Sequence, residues 1–169
     1  MFGNLRHRKS YAIEKGGNFM AIEGVQKMGL FLLPLRSEGA PGAPVNTLSL
    51  TVYTPKSIVT GHSEVTQAVN PPLGISSHVT GTLIYETVMG PGSKVRIDLT
   101  GWPEIFWPSN AGVGPVIPEN YSSIILLEPD FSGGEIIFQY RTALTGEWHQ
   151  VRQKVVRTAA GHETVSKAA

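Results

Sequence analysis

The chain has 169 residues, of which 41% are hydrophobic, so it is long enough for one ordinary domain with a buried core. The formal net charge is +1 and cysteine is absent, which excludes a disulfide framework, cysteine-ligated metal sites and a thiol nucleophile. No apolar run approaches the length of a membrane-spanning helix. We therefore expect a turn-rich globular domain without a membrane span.

The first 27 residues are predicted to be a flexible extension. Residues 1–19 carry four basic side chains against one acidic side chain, whereas the rest of the chain is mildly acidic. Lys15-Gly16-Gly17 can be encoded as a ribosome-binding sequence shortly before Met20, so residues before Met20 are a candidate for non-native sequence, with a genuine basic tail as the alternative. No convincing signal peptide is recognisable, and a cytoplasmic location is the default expectation. The body lacks a basic patch, so no nucleic-acid partner is expected.

Alternation of apolar and polar residues dominates the remaining sequence and predicts strands with one buried face. Turn-forming Gly, Pro, Asp and Asn residues separate these segments. In chain order the predicted strands are Gly29–Leu35, Thr47–Tyr53, Ser57–Gln67, Ser77–Met89, Lys94–Thr100, Ser122–Leu127, Glu135–Arg141 and Trp148–Arg157.

Short connections between consecutive strands favour antiparallel pairing, and no segment shows a helical apolar stripe. We predict an all-β domain over residues 28–157, an antiparallel two-sheet β-sandwich of about eight strands, with a closed β-barrel as the alternative. Residues 158–169 are predicted to form a disordered tail.

The sequence predicts different environments for the first and last strands. The run Leu30–Leu33 is apolar on both faces, so we expect that strand to be covered on both sides, within its own domain or by another subunit. The last strand is expected at a sheet edge, where Arg152, Lys154 and Arg157 would discourage pairing with another molecule.

The loop Ala68–Ile75 suggests a register for the third and fourth strands. If the loop is symmetric, Gly61 faces Gly81. On the outer side, Glu64 then faces His78 and His62 faces Thr80. The Asn-Pro-Pro string within this loop predicts a stiff turn in which Pro71 or Pro72 can be cis.

The segment Gly101–Tyr121 holds two of the three tryptophans and is predicted to be a long aromatic loop. One interpretation is a binding platform for a sugar, an apolar ligand or a partner protein, and the other is a plug that closes the core. The candidate binding residues are Trp102, Phe106, Trp107 and Tyr121, together with Asn70 on the Asn-Pro-Pro loop.

The titratable residues give little support for catalysis. His62, Glu64 and His78 can share one outer face, which is typical of a solvated pair and also resembles a two-histidine, one-carboxylate metal site. No nucleophile-elbow, phosphate-loop, zinc-protease or calcium-loop motif is present. We accordingly predict no catalytic residues, no metal and no cofactor.

Several strings together resemble a small bacterial family of proteins known as domain of unknown function 1842. The most specific are Thr66-Gln67-Ala68-Val69-Asn70-Pro71-Pro72-Leu73 and Trp107-Pro108 followed by Gly112-Val113-Gly114-Pro115. The resemblance covers about Met28 to Val156. It implies a bacterial origin and an independently folding β-rich domain, and it transfers no site residue.

These observations favour a non-enzymatic module that binds a ligand or assembles with copies of itself. The alternative is a lectin-like or hydrolase-like module acting on carbohydrate, with the aromatic loop as platform and Glu64, Glu104 or Glu119 as the acid. The expected partners are a second copy of the chain or a small ligand such as a carbohydrate.

Overall fold

A computed structural model describes residues 29–86, 92–105, 108, 110, 112, 114, 116–142 and 146–158. These residues contain eight strands and one short 3₁₀ turn at Thr54–Lys56. The strands are β1 (Leu30–Glu38), β2 (Val45–Tyr53), β3 (Ile58–Gln67), β4 (Leu73–Glu86), β5 (Lys94–Pro103), β6 (Tyr121–Leu127), β7 (Gly133–Tyr140) and β8 (His149–Arg157).

Each strand pairs antiparallel with the next, and β1 also pairs with β8, so the sheet closes into a barrel. The closing register runs from Leu35 opposite Arg157 to Glu38 opposite Lys154. The predicted all-β class and the eight antiparallel strands are confirmed. The closed barrel is the architecture held as the alternative, and the preferred two-sheet sandwich is not formed.

Glycines mark places where neighbouring strands approach closely. A Cβ atom on Gly61 would collide with the carbonyl of Ser49 on β2, and one on Gly81 with the carbonyl of Asp98 on β5. Gly134 on β7 has the same relation to the Leu126 carbonyl. Missing side chains at such points let strands bend and coil, which a small closed barrel requires.

The core fills the barrel interior because one residue in two points inward along every strand. Leu48, Leu50 and Val52 of β2 are buried, as are Val95, Ile97 and Leu99 of β5. The period-two alternation therefore predicted the inward faces of these strands correctly.

The predicted register of β3 and β4 is wrong by two residues. Gly61 lies opposite Val79, Gly81 opposite Val59, and His62 opposite His78. The chain reverses through residues 68–72, a shorter connection than the assumed Ala68–Ile75. A shift of two residues keeps every side chain on its predicted face, which is why the buried pattern still holds. The predicted cis bond is confirmed at Asn70-Pro71.

The predictions for the two terminal strands also need correction. In β1, Leu33 and Leu35 are buried, but Leu30 and Leu32 are 69% and 68% exposed on the outside of the barrel. β8 is not an edge strand, because it pairs with both β7 and β1. Because β8 is paired on both sides from Lys154 to Val156, charged side chains are not needed there to prevent pairing with another molecule.

The predicted extension 1–27 and most of the predicted tail 158–169 lie outside the described residues. Within the described residues, no helix has the length and hydrophobicity needed to cross a membrane.

Candidate functional site

The described parts of four connections share one end of the barrel, which we call the loop end: residues 39–44, 68–72, 104–105 with 116–120, and 141–142 with 146–148. Two predicted binding residues lie on the outer surface there. Trp102 is half-buried near the end of β5, opposite His78, and Asn70 is exposed in the β3–β4 connection. Phe106 and Trp107 lie outside the described residues.

Tyr121 lies inside the barrel and has no exposed surface. The side-chain amide of Asn46 donates to its hydroxyl over 2.6 Å, and Ser63 Oγ donates to Asn46 Oδ1 over 3.0 Å. Nearby, Ser77 Oγ donates to Asn120 Oδ1 over 3.0 Å. Tyr121 therefore belongs to a buried polar network at the loop end and does not share a surface with Trp102.

Burial raises the pKa of the Tyr121 hydroxyl above its ordinary value of 10.0, and the polar network that includes Asn46 and Ser63 opposes the shift. The hydroxyl is consequently neutral when folded. A buried network of this kind stabilises one arrangement of the core, because each polar group left without a partner is costly.

The loop end also has an open pocket of about 320 Å³ on its outer side. Arg141 lies on its wall, where its Nε donates to the Glu119 carbonyl over 2.7 Å and its guanidinium carbon stands 5.0 Å from the centre of the Trp148 ring. The pocket thus combines one positive charge with polar and apolar groups. Its lining comprises Gly74, Ile75, Ser76, Pro103, Ile105, Asn120, Arg141 and Thr142.

Three polar side chains meet at the rim of this pocket. Ser76 Oγ lies 3.0 Å from His62 Nε2, and His62 Nδ1 lies 3.1 Å from Glu104 Oε1. Ser76 Oγ is also 3.3 Å from Glu104 Oε2. The predicted metal alternative combined His62 with Glu64 and His78, but the part of the chain that the structure describes brings no three potential metal ligands together.

A second surface lies on the outside of β1–β4, toward the end opposite the loop end. Direct cross-strand pairing places Leu30 beside Tyr53 and Tyr53 beside Ile58, while Leu32, Thr51, Thr60 and Thr80 form the adjacent row. We call this surface the uncharged face. It comprises Leu30, Leu32, Thr51, Tyr53, Ile58, Thr60, Thr80, Thr82 and Ile84.

The uncharged face is unusual in composition for the outside of a barrel, where outward positions are ordinarily polar and charged. Leu30, Leu32, Tyr53, Ile58 and Ile84 are all exposed large apolar residues. Charged side chains border it on two sides: Lys56 in the 3₁₀ turn and Arg157 beside Leu32, and on β5 Asp98 and Arg96, which pair with Thr82 and Ile84. A patch of clustered apolar side chains marks an interaction surface more often than scattered ones do.

An open groove of about 830 Å³ adjoins the uncharged face. Its walls include Leu32, Pro34 and Thr51 from the first two strands, with Arg157 and Thr158 at one side. Side chains of a partner can therefore fill the groove when the partner packs on the uncharged face.

The sequence analysis identified neither the polar cluster at the rim of the loop-end pocket nor the uncharged face. The apolar run Leu30–Leu33 signalled that something covers the outer side of β1, but the neighbouring outward residues become visible only once the strands are paired. Ser76 was overlooked because the predicted register placed His62 opposite Thr80, two residues from its true partner.

A protein-family model described as "Domain of unknown function (DUF1842)" matches residues 28–148. A search of curated proteins found no match to the chain.

Proposed function

The chain belongs to the DUF1842 family, and from this premise we propose that it is a self-assembling module in which two copies pack their uncharged faces together. The observation that carries the proposal is the exposed, charge-free pair of cross-strand rows on β1–β4. The family match assigns no activity, so the argument rests on the surface alone.

The side-chain chemistry of the uncharged face suits a protein interface. Interface cores are depleted of charged residues, and removing apolar surface from water is favourable by about 25 cal/mol per Å². Threonines in the adjacent row present methyl groups and hydroxyls, which pack and hydrogen-bond without the desolvation cost of an ion. Tyr53 adds an aromatic side chain of the type enriched at interfaces.

Barrel closure determines how two copies can meet. β1 and β8 pair within the chain through Leu35–Glu38 and Lys154–Arg157, so these stretches are not available for pairing with a second molecule. We propose contact between outer faces, in which a two-fold arrangement uses the same surface on both copies. This also supports the expectation that a second subunit covers the outer side of β1.

A matched pair of substitutions tests the proposal. Ile58 is 41% exposed on the uncharged face, and Ile124 is 40% exposed on β6. We expect Ile58→Lys to raise the dimer dissociation constant on the order of 100-fold, because both copies lose about 1.5 kcal/mol of apolar burial. Ile124→Lys is expected to leave it unchanged.

The measurement is sedimentation equilibrium or light scattering on the full chain over a concentration series, with circular dichroism to show that both variants fold. A monomeric wild type at all accessible concentrations would contradict the proposal. Equal weakening by the two variants would place the interface elsewhere.

A further inference from the structure

The cluster at the rim of the loop-end pocket has the connectivity of a nucleophile, a base and an orienting carboxylate. Ser76 lies on β4, His62 on the adjacent β3, and Glu104 directly after β5. They meet because β3 and β5 flank β4, with Ser77 paired to Pro103 one step from Ser76 and Glu104. This feature goes beyond self-assembly and lies apart from the uncharged face.

The Glu104 carboxylate fixes the state of the imidazole. Carboxylate oxygens only accept hydrogen bonds, so at 3.1 Å the His62 Nδ1 must carry the proton that it donates to Oε1. In the neutral ring, Nε2 is then the acceptor, and it faces Ser76 Oγ at 3.0 Å. The one hydrogen of the Ser76 hydroxyl has two acceptors within reach, His62 Nε2 at 3.0 Å and Glu104 Oε2 at 3.3 Å. Donation over the shorter contact, to the imidazole, is the arrangement that activates a serine.

Two further observations connect this cluster to a site. Ser76 itself lines the pocket of about 320 Å³, so a small molecule bound there lies next to its hydroxyl. Arg141 lines the same pocket and is held by the Glu119 carbonyl and the Trp148 ring. A fixed positive charge favours the negative charge that develops on a carbonyl oxygen under attack.

We propose that Ser76, His62 and Glu104 form a hydrolytic site for small carboxylic esters, with Ser76 as nucleophile, His62 as general base and Glu104 as the residue that positions His62. A pocket of about 320 Å³ has room for a short acyl group.

The reaction balances without any further cofactor. Ser76 Oγ forms a bond to the ester carbonyl carbon while its proton moves to His62 Nε2. The bond between that carbon and the alcohol oxygen breaks, and the leaving alkoxide takes the proton from Nε2. Water then attacks the acyl carbon with His62 accepting its proton, the bond to Oγ breaks, and Ser76 recovers its hydrogen as the carboxylic acid departs.

The first test uses the full chain and a fluorophosphonate probe, which reacts with activated serines. Peptide mass spectrometry is expected to find one adduct, on Ser76, and none on Ser122, which faces outward on β6. Absence of an adduct on Ser76 would overturn the proposal without requiring any variant to fold.

The second test follows hydrolysis of p-nitrophenyl acetate. We expect Ser76→Ala and His62→Gln each to lower the rate about 100-fold, the usual scale of losing a nucleophile or general base, while Ser122→Ala changes nothing. Glu104→Gln should lower kcat less than these two changes and leave KM unchanged, because an amide can present either its oxygen or its NH₂ group to Nδ1 and no longer selects one tautomer. An unchanged rate in Ser76→Ala would show simple imidazole catalysis and contradict the assignment.

Discussion

The outer surfaces of β1–β4 and β5–β8 differ in the charge and polarity of their outward side chains. On β5–β8, charged side chains pair with one another: Arg96 Nε lies 2.9 Å from Asp98, and Arg152 contacts Glu135 through two hydrogen bonds of 2.7 Å. On β1–β4, the uncharged face takes up one part of the outer surface, where leucine, isoleucine, tyrosine and threonine occupy the outward positions, while Arg36, Glu64 and Glu86 lie outside it on the same strands. Both sets of strands bury the same kind of apolar interior.

The contrast shows that folding alone does not explain the outward residues of β1–β4. The inward residues of each strand already complete the closed core, so the outer leucines add nothing to it. Exposed ion pairs, by contrast, contribute little stability and mainly keep a surface hydrated. The uncharged face of β1–β4 is therefore the surface on which the proposed assembly rests, and the ion-paired surface of β5–β8 is its comparison.

The largest effect on stability is expected inside the barrel, without an effect on assembly. Tyr121→Phe leaves the buried amide of Asn46 without its acceptor, which should lower the free energy of unfolding by about 1–3 kcal/mol. Chemical denaturation measures this loss. Light scattering without denaturant should show the same fraction of dimer as the wild type, since Tyr121 does not reach the surface.

The same variant has a pH signature. Because burial raises the pKa of Tyr121, the folded state holds this proton more tightly than the unfolded state does. Its contribution is complete below pH 10.0 and is lost as the pH rises above that value. Tyr121→Phe should thus lose less stability than the wild type in strong alkali, and equal slopes would show that the hydroxyl titrates alike in both states.

A smaller effect is expected on the ion-paired surface of β5–β8. The Arg152 side chain, through its hydrogen bonds, lowers the pKa of Glu135. The pair's contribution is therefore present above the ordinary pKa of a glutamate and is lost as the pH falls through the lowered value. Glu135→Gln should reduce the pH dependence of stability slightly in acid and leave dimerisation intact. A change in the dimer dissociation constant would contradict the division between the two surfaces.

The alternation of apolar and polar residues predicted the strands, because each strand has one face in the core and one face toward solvent. β2 and β5 alternate regularly, and their inward residues follow directly from the sequence. Closure was not predictable in this way, because the pairing of Leu35 with Arg157 joins opposite ends of the domain and leaves no local pattern. The preferred sandwich assumed edge strands, whereas in the barrel the first and last strands pair with each other.

The candidate sites depended on registers that the sequence fixes only loosely. The symmetric β3–β4 loop was a reasonable assumption, yet the shorter connection changed the partner of His62 and concealed its contact with Ser76. Tyr121 was grouped with the aromatic loop by its position in the sequence, whereas as the first residue of β6 it points inward. The binding role of Trp102 and Asn70, the bacterial origin and the cellular location stay predictions.

Because the chain has no cysteine, a single introduced cysteine reports directly on whether the uncharged face meets its copy. Thr60 lies within that face, and Gln139 on β7 belongs to the same cross-strand row, reached through Thr80, Thr100 and Ser122. With a short bismaleimide cross-linker, Thr60→Cys should give covalent dimers and Gln139→Cys should remain monomeric under identical conditions. Monomeric Thr60→Cys, or equal cross-linking of both variants, would contradict assembly through the uncharged face.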